Sequence, residues 1–367
     1  MENLVTRKFM YNDEFWRNKR VLVTGHTGFK GAWLTLLLAR KGALIKGVSL
    51  PPDQPSLYVS AGVASACESA FINILDRERV KSEIREWRPE IVFHLAAQPL
   101  VRVGYACPIE TFQTNIIGTL HVLDALRECP SIKSIVVITT DKVYKNKEWV
   151  WPYRETDSLG GHDPYSSSKA AAEIVVESYR LSFLADQGVS VATARAGNVI
   201  GGGDWAFDRL IPDAVRAWGV GKPLIVRSGN ATRPWQHVLE PVAGYMMLAE
   251  QLWNSHELAG AYNFGPDQLS VATVREVVSL AQSTYGTVEV KFLHNPDGPH
   301  EAERLSIDSS KAKAILGWTP VLSLNQTVEM TIDWYKASVH GHNMLARCLE
   351  DIATFETCRT SVSLQLR

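Results

Sequence analysis

The run Val21-Leu22-Val23-Thr24-Gly25-His26-Thr27-Gly28-Phe29-Lys30-Gly31 constrains this chain more than any other stretch. Its first three residues are apolar and mostly β-branched, as in a strand buried on both faces of a parallel sheet. Glycines follow at 25, 28 and 31, and residues 32–40 then read as a helix that Gly42 ends. A strand feeding a glycine-rich turn and a helix start builds an anion site. The turn lets a ligand approach the backbone, and unpaired N–H groups at the helix end face it. The spacing G-x-x-G-x-x-G differs from the commoner G-x-G-x-x-G, so the pattern alone is also compatible with a plain tight turn. On a strand–turn–helix near the start of the chain it points to a dinucleotide.

Length and charge narrow the partners. A chain of 367 residues can bury one large core or two unequal ones. Its formal net charge of -1 gives no electrostatic case for nucleic acid or an anionic membrane. No apolar run approaches the ~20 residues a membrane helix needs, and residues 1–19 carry charges throughout, unlike a secretory signal. The cysteines, at 67, 107, 129, 348 and 358, are scattered and lack C-x-x-C spacing. The expectation is a cytoplasmic protein with reduced thiols, no membrane segment, no nucleic-acid partner and no metal.

Strands are expected at 43–50, 71–74, 91–98, 135–144 and 189–194, alternating with helices at 76–87, 108–128 and 164–185. Such alternation predicts a doubly wound parallel sheet. Phe15 and Trp16 are placed to pack on the first strand. The second strand of such folds often ends in an acid that binds a ribose; here Pro51 and Pro52 displace it, leaving Asp53 as the candidate. Beyond residue 195 the alternation weakens. Helices at 209–218, 240–253, 272–285, 309–316 and 325–340, with short strands at 224–227 and 261–264, predict a smaller mixed C-terminal lobe. The tail is expected to be helical to residue 355. The division is 1–195, 196–345 with the chain crossing back to the first domain, and a tail over 346–367.

Chemistry is sought beyond the carboxyl ends of parallel strands. The run Leu95-Ala96-Ala97-Gln98 has small side chains that suit a ligand or simply tight packing. Asn115 falls in the apolar pattern of its helix, and a buried Asn must be hydrogen-bonded, as a structural bridge or as part of a proton route. The strand at 135 turns polar at Thr139, Thr140, Asp141 and Lys142. Tyr165 and Lys169, four apart, share a helix face. A phenol, with reference pKa ~10, is a poor base at neutrality unless a neighbouring cation favours its ionised form.

In order along the chain, the glycine loop, Leu95-Ala96-Ala97, Asn115, Thr140 and Tyr165-x-x-x-Lys169 resemble the extended short-chain dehydrogenase/reductase family, over roughly residues 18–340. Within it, three segments are similar to the nucleotide-sugar 4,6-dehydratases. They are Thr140-Asp141-Lys142, the run Asn198-Val199-Ile200-Gly201-Gly202-Gly203-Asp204-Trp205 with Arg209-Leu210-Ile211-Pro212, and Arg233-Pro234-Trp235-Gln236-His237-Val238. Together with Glu148-Trp149-Val150-Trp151 they resemble the members acting on CDP-glucose.

The resemblance implies a Rossmann-type sheet with a substrate lobe, NAD as cofactor, CDP-glucose or a similar nucleotide sugar as substrate, and a homodimer or homotetramer. It implies cofactor contacts from Gly25, Thr27, Gly28, Phe29, Lys30, Gly31, Asp53, Asn73, Ile74, Leu95, Ala96, Ala97, Gln98, Asn115, Thr139, Tyr165 and Lys169. Substrate contacts would come from Gln98, Arg102, Asn198, Arg209, Leu210, Arg233, His237, His300 and Glu301. The implied roles are Tyr165 as base at the sugar 4-OH, Lys169 beside it, Thr140 at the 4-oxygen and Asp141 as acid for the 6-OH. Many sugar dehydratases carry Glu where this chain has Lys142. Lysine serves as the C5 base only if its pKa falls from ~10.4. The competing readings are a nucleotide-sugar 4-epimerase, which needs no acid at C6, and a non-catalytic dinucleotide sensor, which needs none of these groups.

Overall fold

The computed structural model describes residues 11–267, 271–293 and 304–365. Seven parallel strands form the central sheet: β1 Arg20–Thr24, β2 Leu44–Ser49, β3 Glu68–Phe71, β4 Ile91–His94, β5 Ser134–Ile138, β6 Ser190–Ala196 and β7 Gly260–Phe264. Their order is β7-β6-β5-β4-β1-β2-β3, so the winding direction reverses between β1 and β4. That is the doubly wound Rossmann arrangement, and ligands bind at its switch point.

Strand periodicity explains the two-sided core. Successive side chains point to opposite faces. Val21, Val23, Val136 and Ile138 face one side with Trp33, Leu34, Val242 and Met246, from helices α1 (Phe29–Arg40) and α8 (Leu239–Asn254). Leu22, Ile135 and Val137 face the other side. There they meet Val80, Ile84, Val122, Leu126 and Val176 of α2 (Arg77–Trp87), α5 (Thr119–Arg127) and α6 (Pro164–Tyr179). Trp16, at the end of a one-turn helix Asp13–Trp16, is fully buried with its ring 6.1 Å from that of Phe93, while Phe15 packs edge-on against Trp253.

Several expected boundaries move. The third strand ends where it was expected to begin, at Phe71, because Asn73 takes up an Asx turn with its Oδ1 accepting the Leu75 N–H at 3.0 Å. The helix expected over 108–128 is unbroken over 108–127, with a π-turn at Gln113–Gly118 between α4 (Pro108–Phe112) and α5. The helix expected over 309–316 is present over 310–316, with π hydrogen bonding at Ala312–Leu316, and the tail helix α11 runs Met344–Gln365, well past residue 355. Between them lies α10, Leu324–Val339.

After β6 the chain builds the smaller lobe. It holds α7 (Leu210–Gly219), α9 (Val274–Tyr285) and three short strand pairs: Val199–Ile200 with Gln236–His237, Thr232–Arg233 with Ala272–Thr273, and Leu224–Val226 with Val290–Phe292. The lobe is fastened to the sheet by close packing at Gly201, Gly202 and Gly203. A Cβ on Gly202 would lie 1.9 Å from the Trp334 ring, and Gly203 has φ +81°. The carbonyl of Gly202 accepts the Trp33 indole N–H at 3.0 Å. This glycine run therefore serves close approach of α1 and α10, which its sequence alone left undetermined.

Candidate active site

The turn after β1 is a cradle that side chains would fill. Gly25 has φ +76°, and a Cβ there would sit 2.7 Å from the Ala96 backbone nitrogen. A Cβ on Gly31 would lie 2.1 Å from the Gly25 carbonyl oxygen. Gly28 occupies the N-cap of α1 and no side chain caps the helix. Four N–H groups at a helix start have no partner within the helix, so this end suits the pyrophosphate of a dinucleotide. Thr27 Oγ1 is 2.7 Å from Ser49 Oγ and donates to the Leu50 carbonyl, tying the turn to the end of β2.

His26 leaves this turn toward the sheet edge. Its ring stacks on Phe71, meets Tyr58 edge-on and places Nε2 3.0 Å from Ser69 Oγ. Gly47 makes room for it, since a Cβ there would be 2.3 Å from the imidazole. Burial pushes the His26 pKa down to about 4, so the ring is neutral at physiological pH.

The loop after β4 is held by a chain of hydrogen bonds. Thr24 Oγ1 accepts the N–H groups of Leu95 and Ala96, both at 3.2 Å, so its own proton goes to His94 Nδ1 at 2.7 Å. The opposite nitrogen, Nε2, then donates to Thr119 Oγ1 at 3.0 Å, and Thr119 donates to the Asn115 carbonyl. This tautomer is inferred from the network. Burial holds His94 neutral, with its pKa down to about 3. Asn115, fully buried in the π-turn, accepts the Gln98 N–H at 2.8 Å and donates to the Gln98 carbonyl and to Ser168 Oγ. It bridges the β4 loop to α6. The Gln98 side chain folds back on Leu100 and Thr111. Ile74 is buried against Gly118 of the same π-turn.

Beyond β5 the polar triplet forms a 3-10 turn, Asp141–Val143. Thr140 caps it, accepting the Lys142 N–H and donating to Asp141 Oδ1 at 3.0 Å. Asp141 is buried, and its Oδ2 points at the backbone of Gly197, where a Cβ would be only 3.2 Å away. Lys142 is half-buried. Tyr165, in the first turn of α6, lies beside Thr140. Burial pushes its pKa up to about 12; the Thr140 hydroxyl opposes this and the Asp141 charge adds to it. Lys169 is buried one turn on and donates to the Ile138 carbonyl at 2.8 Å. Burial pulls its pKa down to about 8, against the pull of Glu173. The sequence reading had Lys169 lowering the phenol. In this structure its ammonium is bonded to backbone, and Thr140 and Arg209 oppose the rise.

Lys30 joins the cluster from α1. Burial, then Arg209 and Lys169, push its pKa down to about 8, while Asp141 and Asp204 pull it up. Arg209, the N-cap residue of α7, pairs with the buried Asp204 at 2.7 Å, next to Leu210. Arg233 is buried, with Nη1 donating to the Thr232 carbonyl. Its segment is held beside Asn198, whose carbonyl accepts the Gln236 N–H at 3.0 Å. Arg102, on a short helix α3 (Val101–Ala106), reaches Asp208 at 3.1 Å.

Other expected residues lie elsewhere. Asp53 is exposed in the loop four positions past the end of β2, and Asn73 is exposed with its carbonyl oxygen spent on its own turn. His237 is fully buried, edge-on to Trp33, with Nδ1 accepting the Leu239 N–H. Thr139 turns its hydroxyl away from the cleft, donating to Glu173 at 2.5 Å. His300 and Glu301 lie outside the described residues. The sequence reading missed Glu173 and Arg195, a buried pair directly behind the cluster. The available signal was the charged residue one turn after Lys169 in an otherwise small, apolar helix.

Comparison with known proteins agrees with this geometry. Residues 22–331 match the family model described as GDP-mannose 4,6 dehydratase. The CDP-glucose 4,6-dehydratase of Salmonella typhimurium is 44% identical over 358 residues, covering 96% of this chain and 100% of the relative. The dTDP-glucose 4,6-dehydratase of Xanthomonas campestris pv. campestris is 26% identical, covering 86% of this chain and 92% of its own. Among solved structures, the dTDP-glucose 4,6-dehydratase of Bacillus anthracis in complex with NAD superposes with a TM-score of 0.74 at 23% identity, over 89% of this chain and 99% of that one. The UDP-glucose 4-epimerase of Stenotrophomonas maltophila with bound NAD gives 0.77 at 22%, over 88% and 100%, which speaks for the fold alone. With the glycine cradle at the switch point and Tyr165, Thr140 and Asp141 gathered beyond β5, a match spanning most of the chain places this protein in the GDP-mannose 4,6 dehydratase family.

Proposed function

We propose that this protein converts CDP-glucose to CDP-4-keto-6-deoxyglucose and water. The observation that carries the reading is Asp141, a buried carboxyl hydrogen-bonded to the same Thr140 that meets Tyr165. An epimerase has no use for an acid in that position. NAD, bound on the glycine cradle, would take a hydride from C4 and return it to C6. Tyr165 accepts the 4-OH proton, which a phenol does only when a nearby positive charge offsets its burial. Arg209 supplies such a charge from the lobe, and Lys169 stands one helical turn away. Thr140 holds the 4-oxygen. Oxidation at C4 acidifies the C5 proton; Lys142 removes it and returns a proton to C5 as the hydride reaches C6. Asp141 protonates the departing 6-OH, which requires it to hold a proton at that moment.

In the lobe, Arg209 and Arg233 supply guanidinium forks for the pyrophosphate. Arg102, Asn198 and Leu210 line the approach. Asp53 beyond β2 remains the proposed ribose contact, and no Arg follows Leu50 to meet a 2′-phosphate, which favours NAD over NADP.

The test is incubation with CDP-, UDP-, GDP- and dTDP-glucose, followed by mass spectrometry. CDP-glucose is expected to lose one water without net consumption of NAD. An unchanged mass with the C4 epimer formed, or equal turnover of all four sugars, overturns the assignment.

We further propose a cytoplasmic homodimer, or a dimer of dimers, assembled through α4, α5 and α6. The outer faces of α4 and α6, with the π-turns Gln113–Gly118 and Arg180–Leu184 that continue them, expose Ile109, Ile117, Ile174, Leu181 and Phe183, apolar side chains that association would cover. Light scattering is expected to give at least twice the 40.8 kDa of one chain. A mass of one chain, unchanged with concentration, contradicts it. No helix among the described residues is long and apolar enough to cross a membrane.

A further inference from the structure

Behind the cluster lies a buried ion pair. Glu173 is four residues after Lys169 on α6 and nearly inaccessible. Its carboxylate accepts four donors: Thr139 Oγ1 at 2.5 Å, Thr193 Oγ1 at 2.6 Å, and Nε and Nη2 of Arg195, both at 2.9 Å. Arg195, on β6, is equally buried and spends its remaining nitrogen, Nη1, on the Tyr144 hydroxyl at 2.9 Å and the Glu155 carbonyl at 3.3 Å. Tyr144 in turn donates to Asn263 of β7 at 2.7 Å.

This arrangement brackets the reacting segment. Thr139 immediately precedes Thr140, and Tyr144 follows Lys142 by two residues. Both are anchored to one ion pair, which is also fixed to the helix that carries Tyr165 and Lys169. Such pairs are weak evidence for stability, because desolvation offsets their attraction and apolar replacements are often neutral. A bidentate fork does fix geometry.

We propose that Glu173 and Arg195 are positioning residues for the dehydration: their ion pair holds the Thr140–Asp141–Lys142 turn in register with Tyr165 and Lys169. The inference rests on the function proposed above. Glu173 also acts on charge. The groups facing Lys169 are Glu173 on its own helix, His94 on β4 and Lys30 on α1. His94 is neutral and Lys30 is repulsive, so Glu173 is the named group that favours the ammonium.

The test compares Glu173→Gln, Thr139→Val and the double variant Glu173→Leu/Arg195→Met. Misplacement of reacting groups costs about 10²-fold, so Glu173→Gln is expected to lose that much kcat with KM for CDP-glucose nearly unchanged. Loss of the carboxylate lowers the Lys169 pKa, so the alkaline limb of kcat moves to lower pH by roughly one unit. Calorimetry of NAD binding against pH is expected to show the same shift. It reads the Lys169 charge whichever sugar turns over, so a wild type inactive on CDP-glucose defeats the functional reading alone. Thr139→Val removes one donor at little risk to folding and is expected to lower kcat in the same direction; it decides the matter should Glu173→Gln fail to fold. The apolar double variant is expected to melt near the wild type yet keep the low kcat. Recovery of kcat together with melting temperature overturns the proposal. So does an unmoved alkaline limb in Glu173→Gln, or wild-type kcat in Thr139→Val.

Discussion

Tyr165→Phe is expected to abolish both halves of the reaction, with kcat falling by about 10⁴-fold, the upper end of general-base contributions. The phenol is the proposed acceptor for the 4-OH proton. Its hydroxyl lies beside Thr140, and its ring packs in the first turn of α6. Phenylalanine keeps that packing and removes only the hydroxyl, so the melting temperature is expected to move little. The reading that separates chemistry from folding is a quench. Borodeuteride added to an acid-stopped single turnover labels C4 of any 4-keto sugar. Wild type is expected to give label, and Tyr165→Phe neither label nor loss of water. Dehydrated product from the variant at more than a few per cent of the wild-type rate would remove Tyr165 from its role.

Lys142→Ala is expected to stop the reaction later. The Lys142 backbone N–H holds the Thr140 cap, and alanine preserves it, so Thr140 and Asp141 stay in place. Tyr165 and Lys169 lie on a different element and are untouched. Oxidation at C4 therefore survives, while removal of the C5 proton slows by about 10²–10⁴-fold. The same quench is expected to find label at C4 without loss of water. Wild type is expected to exchange the C5 hydrogen with heavy water, and the variant not to. Turnover at the wild-type rate would show that Lys142 is not the base and would shift the role to Asp141 or to a water it positions.

Features with a short sequence range were legible before the structure. The strand–turn–helix at 21–31 depends on neighbours a few residues apart, and the pairing of Tyr165 with Lys169 follows from helical spacing alone. The polar break after β5 was readable because a buried strand tolerates no Thr-Asp-Lys run in its interior. Parallel alternation with helices gave the doubly wound sheet, since both faces of its strands must be apolar. Boundaries were less legible. The Asx turn at Asn73 and the π-turn at Gln113–Gly118 are local choices of hydrogen bonding that hydrophobic pattern does not encode.

What only the tertiary structure decided are contacts between distant segments. Glu173 and Arg195 sit 22 positions apart, and nothing in either neighbourhood names the other as its partner. The sequence left the role of Gly201, Gly202 and Gly203 open, and the fold shows Trp334 and Leu57 pressing on two of them. Asp53 has the residue type of a ribose ligand, and the fold puts it in an exposed position four residues past the end of β2. Sequence determined which residues could do chemistry, because side-chain type and local period are written in it. Which of them share one cleft was decided by packing, because a buried charge or a glycine is explained by the atoms folded against it.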